Sequence, residues 1–215
     1  KKFAHIKDIQ RRIFAAMLAN MDDSVGAILK KLRAKNLEEN TLIFFLSDNG
    51  GPTRELTSSN APLREGKGTV YEGGVRVPFL MQWKGTVPKG QTYDKPVISL
   101  DLFATSTALA KAEVKRPLDG VNIIPYLTGQ KKGIPHQTLY WRLGDRTAIR
   151  HGDWKLLRNP KRGKKSDWEL YNLTEDVSEE KDLATIRTDK VDELLAQWEK
   201  LNAKMIDPIW QPNRK

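Results

Sequence analysis

The chain contains no cysteine and only three histidines among its 215 residues. The absence of cysteine excludes disulfide bonds, and it does not decide the compartment in which the protein works. The scarcity of histidine disfavours metal sites built from several imidazole ligands. No apolar run approaches the roughly 20 residues that a membrane-spanning helix requires, and the sequence does not begin with the apolar stretch of a signal peptide. The sequence therefore predicts no membrane span.

The charge balance is strongly positive. Lysine and arginine outnumber aspartate and glutamate by 37 to 27, which gives a formal net charge of +10 at pH 7. Such an excess indicates an acidic partner, either nucleic acid or a sulfated polysaccharide. The basic residues are dispersed except at residues 161–165, and no helix-turn-helix, zinc-finger or aromatic RNA-binding signature accompanies them. We therefore predict no nucleic acid as a partner.

The most informative segment begins with a short apolar run, Leu-Ile-Phe-Phe-Leu at residues 42–46, which ends at Ser-Asp-Asn-Gly-Gly, residues 47–51. Its length and its polar borders predict a fully buried strand of a parallel or mixed sheet. Ligands of open α/β sheets gather at the carboxyl ends of strands, where Asp48 and Asn49 stand. Their hard oxygen donors suit calcium or magnesium better than zinc. Residues 48–51 alone fit an ordinary strand-ending turn equally well.

A second cluster centres on Lys67, which stands between Gly66 and Gly68. The missing side chains of these glycines let the backbone approach a ligand closely, and the ammonium then meets a tetrahedral anion as a point charge. Two further glycines, Gly73 and Gly74, change the chain direction before an extended apolar segment. A lone glycine-lysine-glycine motif is also compatible with a flexible loop and a solvated lysine. Together, the two clusters predict a hard cation beside a bound oxyanion.

The two clusters resemble the carboxyl-terminal signature of the type I sulfatases, which belong to the alkaline phosphatase superfamily. The resemblance rests on Ser-Asp-Asn-Gly-Gly at residues 47–51, on Asn-Ala-Pro-Leu-Arg-Glu-Gly-Lys-Gly-Thr at 60–69 and on Glu-Gly-Gly-Val-Arg-Val-Pro at 72–78. It extends over nearly the whole chain, through residues 37–41, 146–150, 152–156, 168–173 and 179–184. Two ordered motifs with a matching tail are far more specific than either motif alone.

The resemblance implies a calcium ion, or magnesium, held in part by Asp48 and Asn49, and it gives Lys67 the catalytic role of contacting the sulfate oxygens. In that chemistry an aldehyde made from cysteine or serine, the formylglycine nucleophile, hydrates to a gem-diol whose oxygen attacks sulfur. The metal and the lysine offset the charge that develops on the sulfuryl oxygens. The implied substrate is a sulfate ester, and arylsulfates, sulfated carbohydrates and glycosaminoglycan esters all share this chemistry.

The family's nucleophile motif, Cys or Ser followed by any residue, Pro, any residue and Arg, does not occur. The nearest match, residues 60–64, has Asn60 where the oxidisable residue should be, and asparagine cannot become the aldehyde. The family's paired aspartates and leaving-group histidines are missing as well. We therefore expect a sulfatase fragment, inactive without the amino-terminal half that carries the formylglycine. Since many family members are exported, the resemblance implies a periplasmic or extracellular location, although this sequence contains no signal segment.

Three residues near the predicted site are candidates for substrate binding. Arg54 and Asn60 fall on the long irregular segment between the two clusters, where a substrate mouth would be built. Arg64 either faces the substrate or pairs with Glu65 or Glu72 as part of the scaffold, since a guanidinium readily bridges carboxylates.

Two other functions are also compatible with the sequence. A phosphatase or phosphodiesterase of the same superfamily would need two metals with several histidine ligands, and no histidine is near Asp48 in sequence. A non-catalytic basic module would bind anionic polymers without depending on Asp48, Asn49 or Lys67.

The expected fold is α/β: the carboxyl-terminal part of an alkaline-phosphatase-like mixed sheet flanked by helices, followed by a small antiparallel sheet packed on a terminal helix. Apolar residues recur every three or four positions from residue 6 to 32, which predicts one long amphipathic helix with its isoleucines and methionines in the core. Short strands are predicted at residues 138–143, 147–150, 154–157 and 168–173. We expect residues 1–135 to be the carboxyl-terminal part of the sulfatase catalytic α/β domain, and residues 136–215 a small carboxyl-terminal α+β subdomain.

Overall fold

A computed structural model describes residues 2–53, 58–161 and 166–207 of the chain. Its helices are α1 (Ile9–Ala34), α2 (Glu72–Val75), α3 (Leu100–Leu109), α4 (Ile124–Leu127) and α5 (Thr188–Asn202), with a short 3-10 helix at Glu38–Asn40. Its strands are β1 (Ile43–Leu46), β2 (Phe79–Gln82), β3 (Thr138–Leu143), β4 (Arg146–His151), β5 (Trp154–Arg158) and β6 (Glu169–Asn172). This mixture of helices and sheets confirms the predicted α/β class.

The chain divides into two compact units. The first comprises Lys1–Leu46 and Pro78–Gln137, and the second comprises Ser47–Val77 and Thr138–Lys215. The segment that carries the two sequence clusters therefore groups with the sheet and helix of the second unit. The domain division at residues 135/136 stays a prediction.

In the first unit, β1 and β2 form an antiparallel pair. Phe44 lies opposite Met81 in the register, and the Phe44 and Phe79 rings stack with their centroids 6.1 Å apart. The predicted strand is present, but the prediction that it is fully buried is wrong, because Phe45 is 36% exposed. Among the described residues, β1 has β2 as its only strand partner. An apolar run predicts that a strand is packed against other parts of the protein. The described residues of this chain bury β1 only in part.

Helix α1 has the predicted length and pattern. Asp8 caps its amino terminus by accepting the Arg11 N–H at 2.7 Å. The prediction that its apolar stripe lies in the core is wrong: no described residue of α1 is buried, and Ile13 and Met17 are 53% and 65% exposed. Periodicity identifies the apolar face of a helix without identifying what packs against it.

The irregular segments that follow β2 are tied together by one buried carboxylate. Asp101, at the start of α3, is fully buried and accepts the N–H groups of Ile98 at 2.9 Å and Val121 at 2.8 Å. It also pairs with His136 Nε2 at 2.8 Å. Through these hydrogen bonds the buried carboxylate holds the segments around Ile98, Val121 and His136 together.

The second unit contains an antiparallel sheet in the order β3-β4-β5-β6. Helix α5 packs on it through Leu194, which shares a fully buried core with Ile149, Leu156 and Leu170. Trp198 reinforces the contact by donating its indole N–H to Thr147 Oγ1 at 2.7 Å. The predicted small sheet with its terminal helix is therefore confirmed. Among the described residues, no helix has the length and hydrophobicity of a bilayer-spanning segment.

Candidate functional site

The turn after β1 and the lysine loop lie in direct backbone contact within the second unit. We call residues 47–51 the acidic turn and residues 60–69 the lysine loop. The acidic turn accepts the Lys67 N–H at the Gly51 carbonyl, at 3.2 Å, and donates the Gly50 N–H to the Gly74 carbonyl, at 3.1 Å. Two motifs that are separate in sequence are therefore held together by backbone hydrogen bonds.

This contact leaves no space for side chains at two glycines. An ideal β-carbon on Gly50 would lie 1.6 Å from the Gly73 carbonyl oxygen, and one on Gly66 would lie 2.2 Å from the Gly51 carbonyl oxygen. Both distances are far inside van der Waals contact, and both opposing atoms belong to the backbone. Glycine is therefore required at these positions by the close approach of the two segments.

The side chains of the predicted site are available to a ligand. Asp48 and Lys67 are exposed and Asn49 is partly buried, and none of the three side chains makes a hydrogen bond or ion pair with another described residue. Ser47 shapes the turn by donating its hydroxyl to the Asn49 carbonyl at 2.7 Å. The acidic turn thus offers oxygen donors, and the lysine loop offers one cation.

A complete metal site is not formed by the part of the chain that the structure describes. No group of three or more His, Cys, Asp or Glu residues there could hold an ion. Calcium takes about six to eight oxygen ligands, so Asp48 and Asn49 would supply a fraction of its coordination shell. Their chemistry, a carboxylate beside an amide carbonyl, fits such an ion.

Asn60 joins the two segments through its side-chain amide. Its Oδ1 accepts the Gly51 N–H at 3.0 Å, and its Nδ2 donates to the Gly51 carbonyl at 3.0 Å and to the Glu65 carbonyl at 2.9 Å. The amide is therefore occupied by backbone groups of the acidic turn and of the lysine loop. These contacts favour a structural role over the predicted substrate contact.

Arg64 is also engaged with the protein. Its guanidinium donates to the Tyr171 hydroxyl at 3.0 Å and to the Glu179 carbonyl at 2.7 Å, lies 3.6 Å from a Glu169 carboxylate oxygen and stacks 4.2 Å from the Tyr71 ring centroid. These contacts favour a scaffold role for Arg64, with Glu169 as its carboxylate partner in place of the predicted Glu65 or Glu72. Arg54, the third predicted substrate residue, and most of the basic run at residues 161–165 lie outside the described residues.

Several residues that support the site were not predicted from the sequence. Lys155 Nζ, on β5, lies 2.8 Å from Glu72 Oε1 and 2.9 Å from Glu179 Oε1, and Arg146, on β4, donates to the Gly68 carbonyl beside Lys67. The only sequence signal for this cluster is a lysine placed among the apolar residues of β5. Glu179 carries no such signal.

Burial alters the ionisation of groups around the lysine loop. Burial raises the pKa of the Glu179 carboxyl, against the opposing effect of the Lys155 ammonium. Burial, followed by the hydrogen bond to Glu169, raises the pKa of both the Tyr71 and the Tyr171 hydroxyls. The tyrosines therefore stay neutral donors, each directing its O–H at the Glu169 carboxylate.

Two family models match this chain. The sulfatase model covers residues 2–112, and the model of N-sulphoglucosamine sulphohydrolase, C-terminal, covers residues 66–207. Each spans more than half of the sequence. The chain belongs to the sulfatase family.

Curated sulfatases are similar to part of this family member. Human N-acetylgalactosamine-6-sulfatase is 40% identical over 123 residues, which are 55% of this chain and 24% of that protein. Bovine arylsulfatase A is 40% identical over 131 residues, 60% of this chain and 25% of the relative. The chain thus spans about a quarter of the length of each.

Solved structures share the fold of this chain. The crystal structure of Ps i-CgsB in complex with k-i-k-neocarrahexaose matches with a TM-score of 0.86 and 34% identity, over 97% of this chain and 47% of that one. The PsFucS1 sulfatase from Pseudoalteromonas sp. matches with a TM-score of 0.73 and 27% identity, over 86% of this chain and 41% of its own. These matches confirm the type I sulfatase recognition and the fold predicted from the two motifs.

Proposed function

We propose that this chain supplies part of the metal and sulfate site of a sulfuric ester hydrolase. In this assignment Asp48 and Asn49 are metal ligands, and Lys67 is the catalytic cation. The observation that supports it best is the backbone contact between the acidic turn and the lysine loop, which joins the segments that carry the two oxygen donors and the ammonium. The alternative of an ordinary turn and a solvated lysine gives no reason for the two to be joined.

Lys67 binds the sulfuryl oxygens of a sulfate ester as a point charge. Its ammonium meets no carboxylate among the described residues, so these residues leave its charge available to an anion. The close approach of Gly66 to Gly51 holds the backbone of the lysine loop against the acidic turn. Asp48 and Asn49 would hold a calcium ion, with magnesium as the other candidate, and the ion would supply further positive charge for the sulfuryl oxygens.

The formylglycine nucleophile and the histidines that protonate the leaving group are proposed to come from a part of the parent protein outside this sequence. Two facts support this: the family's nucleophile motif does not occur in the 215 residues, and the chain spans less than half of the length of two solved proteins that it matches. A further segment would carry the formylglycine and cover the exposed apolar residues of β1 and α1. The chain by itself is then inactive.

The proposed substrate is a sulfated carbohydrate. The support is the structure of Ps i-CgsB in complex with k-i-k-neocarrahexaose, a similar protein with an oligosaccharide bound. Polymeric sugar sulfates also agree with the net charge of +10, since a basic surface attracts a polyanion. A periplasmic or extracellular location agrees with such a substrate. Arylsulfates are the competing class.

The proposed site is tested by titrating the isotope-labelled chain with calcium chloride and, separately, with sodium sulfate, while NMR follows the amides of Gly50, Gly51 and Gly68. Asp48→Ala should remove the calcium response, and Lys67→Ala should remove the sulfate response. Asp22→Ala on the exposed face of α1 and Lys181→Ala on the surface are matched controls, and both should titrate like the unchanged chain.

The outcomes separate the competing functions. Sulfate or heparin binding that survives Asp48→Ala, Asn49→Ala and Lys67→Ala would indicate a basic binding module instead. Sulfatase turnover by the isolated chain, above the Asp48→Ala background, would contradict the fragment assignment. For the complete parent protein, hydrolysis of sulfated oligosaccharides should exceed that of an aryl sulfate. Faster hydrolysis of phosphate esters would favour the phosphatase alternative.

A further inference from the structure

Three charged side chains are buried together behind the lysine loop. Lys155 and Glu179 are fully buried and Glu72 is 2% exposed. The Lys155 ammonium bridges the two carboxylates, at 2.8 Å from Glu72 Oε1 and 2.9 Å from Glu179 Oε1. It also lies 5.9 Å from the Trp141 ring centroid. Since none of the three is accessible, none can touch a substrate directly.

Stability alone is a poor explanation for this cluster. Removing charges from water is costly, and apolar residues of similar volume often serve a protein interior as well or better. The neighbours of Lys155 on β5, Leu156 and Leu157, are apolar and fully buried, so an apolar residue would suit this region. A buried ion cluster can instead select one backbone arrangement among several of similar compactness.

The backbone at Glu179 gives a second, independent indication. Its φ is +53°, in the left-handed region where glycine is favoured and a residue with a β-carbon is strained. Glycine would satisfy the backbone but would lack the carboxylate. The presence of glutamate at a position that suits glycine therefore indicates that the carboxylate itself is used.

The cluster acts on the turn that supports the predicted metal ligands. Glu179 Oε2 accepts the backbone N–H of Glu72 at 2.6 Å, which fixes the first residue of α2. The next two residues of α2 contact the acidic turn. Gly73 lies against Gly50, and the Gly74 carbonyl accepts the Gly50 N–H at 3.1 Å. Gly50 is two residues from Asp48.

We infer that Lys155, Glu72 and Glu179 are positioning residues for the acidic turn, and that they set the geometry in which Asp48 and Asn49 hold a cation. This inference rests on the proposed function, because it concerns the same metal ligands. It predicts that a change at Lys155, on a strand of the small sheet, alters cation binding through Glu72 and α2 without any contact to the ion.

The test uses Lys155→Met, which keeps the length of the side chain and removes its charge, with Lys181→Met as a control on the exposed surface of the same unit. The measurement is the calcium titration of the 215-residue chain, with the Gly50 and Gly51 amides as reporters. Lys155→Met should weaken the apparent calcium affinity by about tenfold or more, as supporting residues of metal sites usually do. Lys181→Met should leave it unchanged.

A double-mutant cycle separates positioning from general damage. In the Asp48→Ala background, Lys155→Met should have no further effect on the calcium response, because both act on the same ion. The amides around Leu194 report whether the core between the sheet and α5 is intact. In Lys155→Met, the Gly50 amide should lose protection from hydrogen exchange, and the amides around Leu194 should keep their protection.

Each result decides one of the two ideas. If Asp48→Ala leaves calcium binding unchanged, the proposed metal site itself fails. If Asp48→Ala abolishes binding while a folded Lys155→Met chain binds calcium normally, only the positioning inference is overturned. If Lys155→Met unfolds the chain, Glu179→Gln, which keeps the shape of the side chain, takes its place under the same criteria. Unfolding by both variants would overturn the inference, since the cluster would then hold the whole unit.

Discussion

Asn60 and Gly51 form a reciprocal pair of hydrogen bonds. The side-chain amide of Asn60 accepts the backbone N–H of Gly51 and donates to its carbonyl, at 3.0 Å each. The asparagine reproduces the pairing that a neighbouring β-strand would offer, and its second N–H reaches the Glu65 carbonyl. One side chain therefore joins the acidic turn to the lysine loop.

Asn60→Asp should destabilise this junction. A carboxylate accepts hydrogen bonds and cannot donate them, so both bonds from Nδ2 are lost and two carbonyl oxygens face a negative charge. We expect a loss of about 2 kcal/mol in the free energy of unfolding, measured by urea denaturation. The sulfate affinity at Lys67 should fall as well. Asn20→Asp, on the exposed surface of α1, should have little effect, and an equally stable Asn60→Asp chain would favour the substrate-contact interpretation.

Gly50→Ala and Gly26→Ala should have opposite effects. A β-carbon at Gly50 meets the Gly73 carbonyl oxygen at 1.6 Å, whereas one at Gly26 has no atom within 4 Å. Gly50→Ala must push the acidic turn away from α2, with an expected cost of about 3 kcal/mol or more. Gly26→Ala lies inside α1 and should stabilise the chain by about 0.5 to 1 kcal/mol, since alanine favours the helix. Thermal unfolding of both variants measures this contrast, and equal melting temperatures would contradict the contact.

Asp101→Asn should damage the first unit strongly. Asp101 accepts two backbone N–H groups and pairs with His136, and an amide cannot satisfy all three. Leaving buried donors without acceptors should cost about 3 kcal/mol in unfolding free energy. Asp119→Asn, an exposed aspartate near the same segment, is the control and should change stability by less than about 0.5 kcal/mol. A tolerated Asp101→Asn would show that the carboxylate is not essential.

The raised pKa of Glu179 predicts a specific pH dependence. Its folded-state pKa lies above the ordinary value of 4.5 because of burial, so the folded protein holds this proton more tightly than the unfolded chain does. The stabilisation is complete below pH 4.5 and is lost as the pH rises through the folded-state pKa. The unfolding free energy of the unchanged chain relative to Glu179→Gln should therefore decrease over that interval.

Urea unfolding at a series of pH values measures this difference. The comparison with Glu179→Gln is needed because Glu38 and Asp189 have lowered pKa values, and these groups change stability in the opposite direction in acid. A relative stability that increases with pH would contradict the predicted ionisation of Glu179.

The carboxyl-terminal elements were predictable because their signals are local. The strands predicted at residues 138–143 and 154–157 occur at Thr138–Leu143 and Trp154–Arg158. Glycine and aspartate turns separate short runs of β-branched, aromatic and aliphatic residues, and each hairpin folds back on its immediate neighbour. Helix α2 was missed, since a glycine pair rarely indicates a helix; its helical turn is fixed by Glu179, which is distant in sequence.

The residue types at Asp48, Asn49 and Lys67 predict a metal and sulfate site, and this assignment stays a prediction. The structure brings the segments that carry these residues together. Neither a propensity nor a spacing could place Lys155 beside Glu179, because a buried ion cluster depends on the whole tertiary fold. The roles of Asn60 and Arg64 depend in the same way on which partners the fold provides.

The apolar face of α1 has a practical consequence. A row of isoleucine and methionine side chains in water binds detergents and hydrophobic dyes, and it promotes self-association as the protein is concentrated. Purified alone, the polypeptide should be handled dilute and at moderate salt, because kosmotropic salts strengthen apolar attraction. Replacing two residues of that row with glutamate should reduce self-association during the calcium and sulfate titrations.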